Sequence, residues 1–202
     1  MKKIAVFASG SGSNFQAIVD AVNAGTLDAE IRLLVCDQPS AIVLQRTQEA
    51  KIDSFCISPK DFTDKTAFEK EIVQQLKSRD VEFIVLAGYM RLIGSTILQE
   101  YAESIVNIHP SLLPAFPGKD AIGQAMDAGV QISGLTIHYV DAGMDTGPII
   151  VQKEIKIHEN DTRDDVQKRI QQAEHICYPK VLQELFTKET TNSVPRFVGK
   201  VF

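Results

Sequence analysis

The first half of the chain alternates short apolar runs with stretches of helical period. Strands are predicted at Ile4–Ala8, Ile31–Cys36, Ile52–Ile57 and Val81–Ala87. Ile4–Ala8 is a short, continuous apolar run, as expected for a strand buried on both faces, and Val81–Ala87 is read as a fourth buried strand. Between them, a helix is predicted over Phe15–Ala24, ending at Gly25. A second covers Ala41–Ala50, after a Gln38-Pro39-Ser40 loop. A third starts near Thr63 or Thr66 and ends near Ser78. Its apolar positions Phe68, Ile72 and Leu76 recur every four residues, and Thr66-x-x-Glu69 has the form of a capping box. Strands alternating with helices of this length predict βαβ units and a parallel sheet. Ligands then bind beyond the C-terminal ends of the strands.

The pattern changes after residue 120. A short helix is predicted over Ala121–Ala128, stopped by Gly129. Two longer strands follow, Ile132–Val140 and Ile149–Ile157, joined by Asp141–Pro148. Leu135, Ile137 and Tyr139 fall on one side of the first, and Thr136 and His138 on the other. Thr162 opens a last helix with apolar positions Val166, Ile170, Ala173 and Cys177. Pro179 is expected to kink or interrupt it before Val181–Leu185. The polar tail from Lys188 is expected to be loosely held. The predicted fold class is α/β: a Rossmann-like, mostly parallel sheet with flanking helices and an antiparallel C-terminal strand pair, in one domain over 1–202. No internal repeat or linker divides it.

Composition narrows the function classes. With 44% hydrophobic and 23% charged residues, the 202-residue chain is an ordinary globular one. A net charge of −5 gives neither a nucleic-acid footprint nor a polybasic membrane patch. No apolar run approaches a membrane span, and the N-terminal run is too short for a signal peptide. The expected location is the cytoplasm. Cys36, Cys56 and Cys177 are odd in number and far apart in sequence, and read as buried free thiols of a reducing compartment.

Four segments carry chemistry. Ile105–Gly118 reads I-V-N-I-H-P-S-L-L-P-A-F-P-G. Asn107 and His109 are one residue apart in a strand, so they face one way. Pro110, Pro114 and Pro117 then make the following loop stiff and non-helical. Taken alone, the pair is equally consistent with a structural histidine at a strand end. Ser9-Gly10-Ser11-Gly12-Ser13-Asn14 joins a strand to a helix N-terminus, a natural anion site or a plain tight turn. It lacks the third glycine of a dinucleotide fingerprint and the lysine of a P-loop. Ala87–Ile93 places Arg91 just past a buried strand, where a guanidinium can meet an anion; Met90 and Leu92 alone read as core. Asp141–Pro148 is a turn rich in Asp and Gly. Neither H-E-x-x-H nor C-x-x-C is present, and no metal site is expected.

The string N-I-H-P-S-L-L-P resembles the signature of the folate-dependent formyltransferases. P-S-L-L-P-A-F-P-G is most similar to the branch that acts on glycinamide ribonucleotide (GAR) in purine synthesis. The resemblance runs from the first strand to about Pro179. It implies formyl transfer from 10-formyltetrahydrofolate, as co-substrate, to the amine of GAR, with Asn107, His109 and Asp145 catalytic. It implies that Gly12, Ser13 and Asn14 hold the GAR phosphate. Gln171, Gln172, Ala173 and Glu174 then approach GAR, with Glu174 on the ribose. Lys65, Met90, Arg91, Leu92, Ile93, Asn107, Asp141, Ala142, Gly143, Met144 and Asp145 are given to the folate. The division implied is 1–104 for phosphate and GAR, 105–187 for catalysis and folate, and 188–202 as tail. Partners are small molecules only, and the protein is expected to be a monomer or a homodimer.

The implied mechanism is attack of the GAR amine on the formyl carbon. Asn107 and a protonated His109 stabilise the oxyanion, and Asp145 favours the imidazolium. One position departs from the family: Asp120 stands where many members have histidine. The nearest rival is 10-formyltetrahydrofolate hydrolase, whose relatives usually carry an N-terminal domain. Here the first strand begins at residue 4. Methionyl-tRNA formyltransferase adds a basic C-terminal RNA-binding domain. A nucleotide-binding module using only the glycine loop is the non-enzymatic rival.

Overall fold

The computed structural model of the chain describes the backbone of residues 1–190 and the side chains of residues 1–187. The strands are β1 (Lys2–Ala8), β2 (Ala29–Cys36), β3 (Ser54–Cys56), β4 (Phe83–Leu86), β5 (Ile105–His109), β6 (Ile132–Tyr139) and β7 (Ile149–Lys156). The helices are α1 (Ser13–Asn23), α2 (Val43–Ala50), α3 (Lys65–Lys77), α4 (Ser95–Glu100), α5 (Ala121–Asp127) and α6 (Arg163–Thr190). The strands form one sheet in the order β3-β2-β1-β4-β5-β6-β7. Two compact units are distinguished, residues 1–106 and the remainder from Asn107.

In the first unit β1 is central. Ile4, Ala5, Val6, Phe7 and Ala8 are fully buried, as the continuous apolar run requires. β1 pairs in parallel with β2 and with β4, and β2 pairs in parallel with the short edge strand β3. The βαβ expectation therefore holds. α3 begins at Lys65, and its cap is Asp64, whose carboxylate accepts the Ala67 N–H at 2.8 Å. Neither Thr63 nor Thr66 plays this part. Glu69, expected in the capping box, is buried and instead accepts the Gly94 N–H at 2.6 Å. That long-range bond anchors the segment before α4, a helix the sequence pattern did not suggest.

In the second unit β6 and β7 pair antiparallel, from Ile132↔Lys156 to Ile137↔Val151, with a register shift just before His138. Such a bulge re-aims the side chains beside it. Both faces of β6 are buried: Leu135, Thr136 and Ile137 are inaccessible and His138 nearly so. α6 opens on a reciprocal cap. The Thr162 backbone N–H and hydroxyl donate to Asp165 Oδ2 at 2.9 and 2.6 Å, and the Asp165 N–H donates back to Thr162 Oγ1 at 3.2 Å. The helix runs through Pro179 to Thr190 rather than breaking there. Tyr178, Val181, Leu182 and Leu185 are buried on either side of the proline, and this packing outweighs one missing backbone bond. The tail expected from Lys188 begins within this helix; residues 191–202 lie outside the described residues.

Candidate active site

β5 delivers the key pair. Ile105, Val106 and Ile108 are core residues. Asn107 is half-buried between them, and His109 is buried at the strand end. The proline-rich loop after His109 is held by Thr136 on β6. The Thr136 hydroxyl donates to the Ser111 carbonyl at 2.6 Å. It accepts from the Leu113 N–H at 3.0 Å and from Gln152 Nε2 at 3.0 Å. Gln152 Nε2 also donates to the Leu113 carbonyl at 2.8 Å. A hydroxyl offers one donor and two acceptor positions, and all three are used. The Ser111 hydroxyl closes the loop on itself, donating to the Ala115 carbonyl at 2.6 Å.

Thr136→Val keeps the side-chain shape and deletes the hydroxyl. It leaves the Leu113 N–H and the Ser111 carbonyl buried and unpaired, at about 1–3 kcal/mol each. We expect a lower melting temperature and a lower kcat, with both restored in Thr136→Ser. A valine variant that melts and turns over like the wild type would show that the hydroxyl does not hold the loop.

Asp145 is where the site converges. His109 Nδ1 lies 3.4 Å from Asp145 Oδ2, and the Gly118 N–H donates to the same oxygen at 2.8 Å. Asn107 Nδ2 reaches Oδ1 at 3.4 Å. His138 Nε2 is 3.7 Å from Oδ1, an electrostatic contact longer than a hydrogen bond. Asp145 itself has a left-handed backbone, with φ of 56°. Burial pushes its carboxyl pKa up, but His138, the Gly118 N–H and the His109 ring together outweigh burial and hold it below the ordinary carboxylate value.

The ring contacts assign protons. His109 Nε2 is 2.9 Å from the Phe116 carbonyl, so this nitrogen donates. Its other nitrogen faces a carboxylate. A ring protonated at both nitrogens satisfies both partners. His138 Nδ1 donates to the Tyr139 carbonyl at 2.8 Å. Its Nε2 lies 3.2 Å from Asn107 Nδ2.

The remaining candidates are placed as follows. Gly12 adopts φ of 70° and begins α1 without a side-chain cap. A Cβ at Gly12 would collide with Val43. Ser13 and Asn14 are the first residues of α1. Met90 and Leu92 are exposed, not core, because the chain turns outward after β4; Ile93 is the buried member of that segment. Arg91 lies over the Phe68 ring at 5.6 Å, with Nη1 3.9 Å from the buried Asp37. Lys65 Nζ is 3.8 Å from Glu69.

In the second unit, Asp141 accepts from the Gly143 N–H and the Thr146 hydroxyl, so it builds the turn. Ala142 lies in that turn, and Met144 is exposed at its tip. On α6, Ala173 and Glu174 are buried, Gln171 is half-buried and Gln172 exposed, so Glu174 is inside the apolar stripe and not on its border. Asp120 caps α5 through the Gly123 N–H and pairs with Arg163.

Sequence reasoning did not select His138, Thr136, Gln152 or the Phe116 carbonyl. Thr136 and His138 share a side of a predicted strand with two-residue spacing, which was the available signal. Among the described residues no group of three His, Cys, Asp or Glu could hold a metal ion, and no helix is long and apolar enough to cross a membrane.

Comparison with known proteins identifies the family. A family model described as formyl transferase matches residues 2–182. The phosphoribosylglycinamide formyltransferase of Bacillus subtilis is 57% identical over 185 residues, covering 92% of this chain and 95% of that protein. The crystal structure of the phosphoribosylglycinamide formyltransferase of Bacillus halodurans superposes with a TM-score of 0.91 at 51% identity, covering 93% of this chain and 97% of that one. The glycinamide ribonucleotide transformylase 1 of Geobacillus kaustophilus gives a TM-score of 0.90 at 57% identity, covering 92% and 98%. With Asn107, His109 and Asp145 gathered at one point and the family model spanning nearly the whole described chain, the protein belongs to the formyl transferase family.

Proposed function

We propose that the chain transfers the formyl group of 10-formyltetrahydrofolate to the amine of GAR, giving formylglycinamide ribonucleotide and tetrahydrofolate, in the cytoplasm. The convergence of Asn107 and His109 on Asp145 carries this assignment. The GAR amine attacks the formyl carbon, and its oxygen becomes negative. Donors aimed at that oxygen lower the barrier. Asn107 and His109 are those donors. Their contacts to Asp145 are 3.4 Å each, longer than a well-formed charge-assisted bond at about 2.7–2.9 Å, and a substrate oxygen can replace them. No serine or cysteine nucleophile is required, because the deprotonated amine attacks directly. The proton lost by the amine passes to the departing N10 through water or His109.

In the first unit, the α1 N-terminus with Gly12, Ser13 and Asn14 takes the ribonucleotide phosphate. The tight left-handed glycine and the uncapped first turn support this. Lys65 and the segment Met90–Ile93 take the folate, with Met90 and Leu92 offering exposed apolar surface to its rings. In the second unit, the turn Asp141–Asp145 takes the pterin, and Gln171–Glu174 approaches GAR.

The test is formyl transfer with purified protein. Tetrahydrofolate should appear only when GAR is added. Release at the same rate without GAR would mean hydrolysis; folate-independent nucleotide binding with no turnover would mean a binding module.

A further inference from the structure

The thiols of Cys36 and Cys56, twenty residues apart in sequence, are neighbours in space. Cys36 is the last residue of β2 and Cys56 the last of β3, and the two are register partners across a parallel pair. Partners in register project from the same face of a sheet. Cys36 is fully buried and Cys56 is exposed. The third cysteine, Cys177, lies on α6.

We propose that Cys36 and Cys56 form a redox-modification site that closes to an intramolecular disulfide by exchange with a small-molecule disulfide. Cys56 meets the reagent because it alone of the pair reaches the surface. Its thiolate attacks one sulfur of R–S–S–R, forming Cys56–S–S–R and releasing one thiolate. The Cys36 thiolate then attacks the Cys56 sulfur and releases the second. The protein gives up two electrons and two protons, and two molecules of R–SH carry them away.

Strand geometry sets the character of this bond. Neighbouring strands lie about 4.7–4.9 Å apart, and side chains of register partners stand at roughly that spacing. A disulfide requires its Cβ atoms about 3.5–4.5 Å apart. The missing distance must come from movement of one strand. β3 supplies it, being three residues long, at the sheet edge and paired only to β2. A bond closed under such tension is readily reduced, which is the behaviour of labile rather than structural disulfides. Burial raises the pKa of Cys36 to about 11 and also raises Cys56. Both therefore rest as thiols at neutral pH, and closure waits for an excess of oxidant. None of this depends on the formyl-transfer assignment.

The experiment uses the full chain with excess oxidised glutathione, followed by intact-mass measurement and digestion without reduction. The expected result is a monomer lighter by two hydrogens, a peptide pair joined through Cys36 and Cys56, and full reversal by dithiothreitol. Cys36→Ser should retain one glutathionyl group on Cys56, because no resolving thiol remains. A wild-type protein that keeps glutathione on Cys56 without closing, or does not react, overturns the proposal. So does a Cys36→Ser variant that still loses two hydrogens, since the link would then be to Cys177.

Discussion

His109→Ala lowers kcat for formyl transfer by about 10²–10³ or more, with GAR binding nearly unchanged. The size of the loss follows from what the ring does. His109 is buried at the end of β5, braced by the Phe116 carbonyl at 2.9 Å and facing Asp145 at 3.4 Å. A preorganised donor of this kind acts only as charge develops on the reacting oxygen, so its removal appears in kcat and not in ground-state binding. Alanine leaves the Asp145 carboxylate with the Gly118 N–H and Asn107, so the fold should survive. Single-turnover rates, with GAR affinity measured by calorimetry, separate the two effects. Near-normal turnover in the variant would remove His109 from the chemistry.

Asp145→Asn falls by a similar factor, and its cost to stability depends on pH in a defined direction. The amide is nearly isosteric but loses the negative charge that both histidines face. The Asp145 carboxyl is held below its ordinary pKa in the folded protein. A lowered folded value means that the ionised form is stabilised by folding. That contribution is complete above the unfolded value, near 3.9, and is lost as pH falls through the folded value. The gap in melting temperature between wild type and Asp145→Asn should therefore be widest near neutral pH and narrow in acid below the ordinary carboxylate range. A gap that stays constant down to pH 3 would place the aspartate's role in shape and not in charge. The pH profile of kcat should likewise show no acid limb from Asp145 above its ordinary pKa, because the group is ionised throughout.

Much of this protein is legible along the chain. The continuous apolar run at Ile4–Ala8 marked a strand of a doubly covered sheet, because a strand buried on both faces loses its alternation. The spacing of Asn107 and His109 put both on one side of β5, since the strand repeat is two. What these patterns determine is local: element type, the facing of near neighbours, and the stiffness of a loop with three prolines.

Pairings across long separations were decided elsewhere. Glu69 looked like a capping residue but caps nothing; it binds Gly94, which only the approach of the segment before α4 makes available. Pro179 was expected to kink or interrupt the last helix; α6 is not interrupted there, and Tyr178 and Leu182 are buried on either side of the proline. His138 looked like one strand residue among several, until a bulge turned it toward Asn107 and Asp145. Cys36 and Cys56 looked like two unrelated buried thiols, and strand register made them partners with one at the surface. The sequence by itself determined which chemical groups each element carries and which way near neighbours face, because backbone periodicity depends on adjacent residues alone. Only the tertiary structure decided which groups share a partner, because that depends on register and burial contributed by segments tens of residues away.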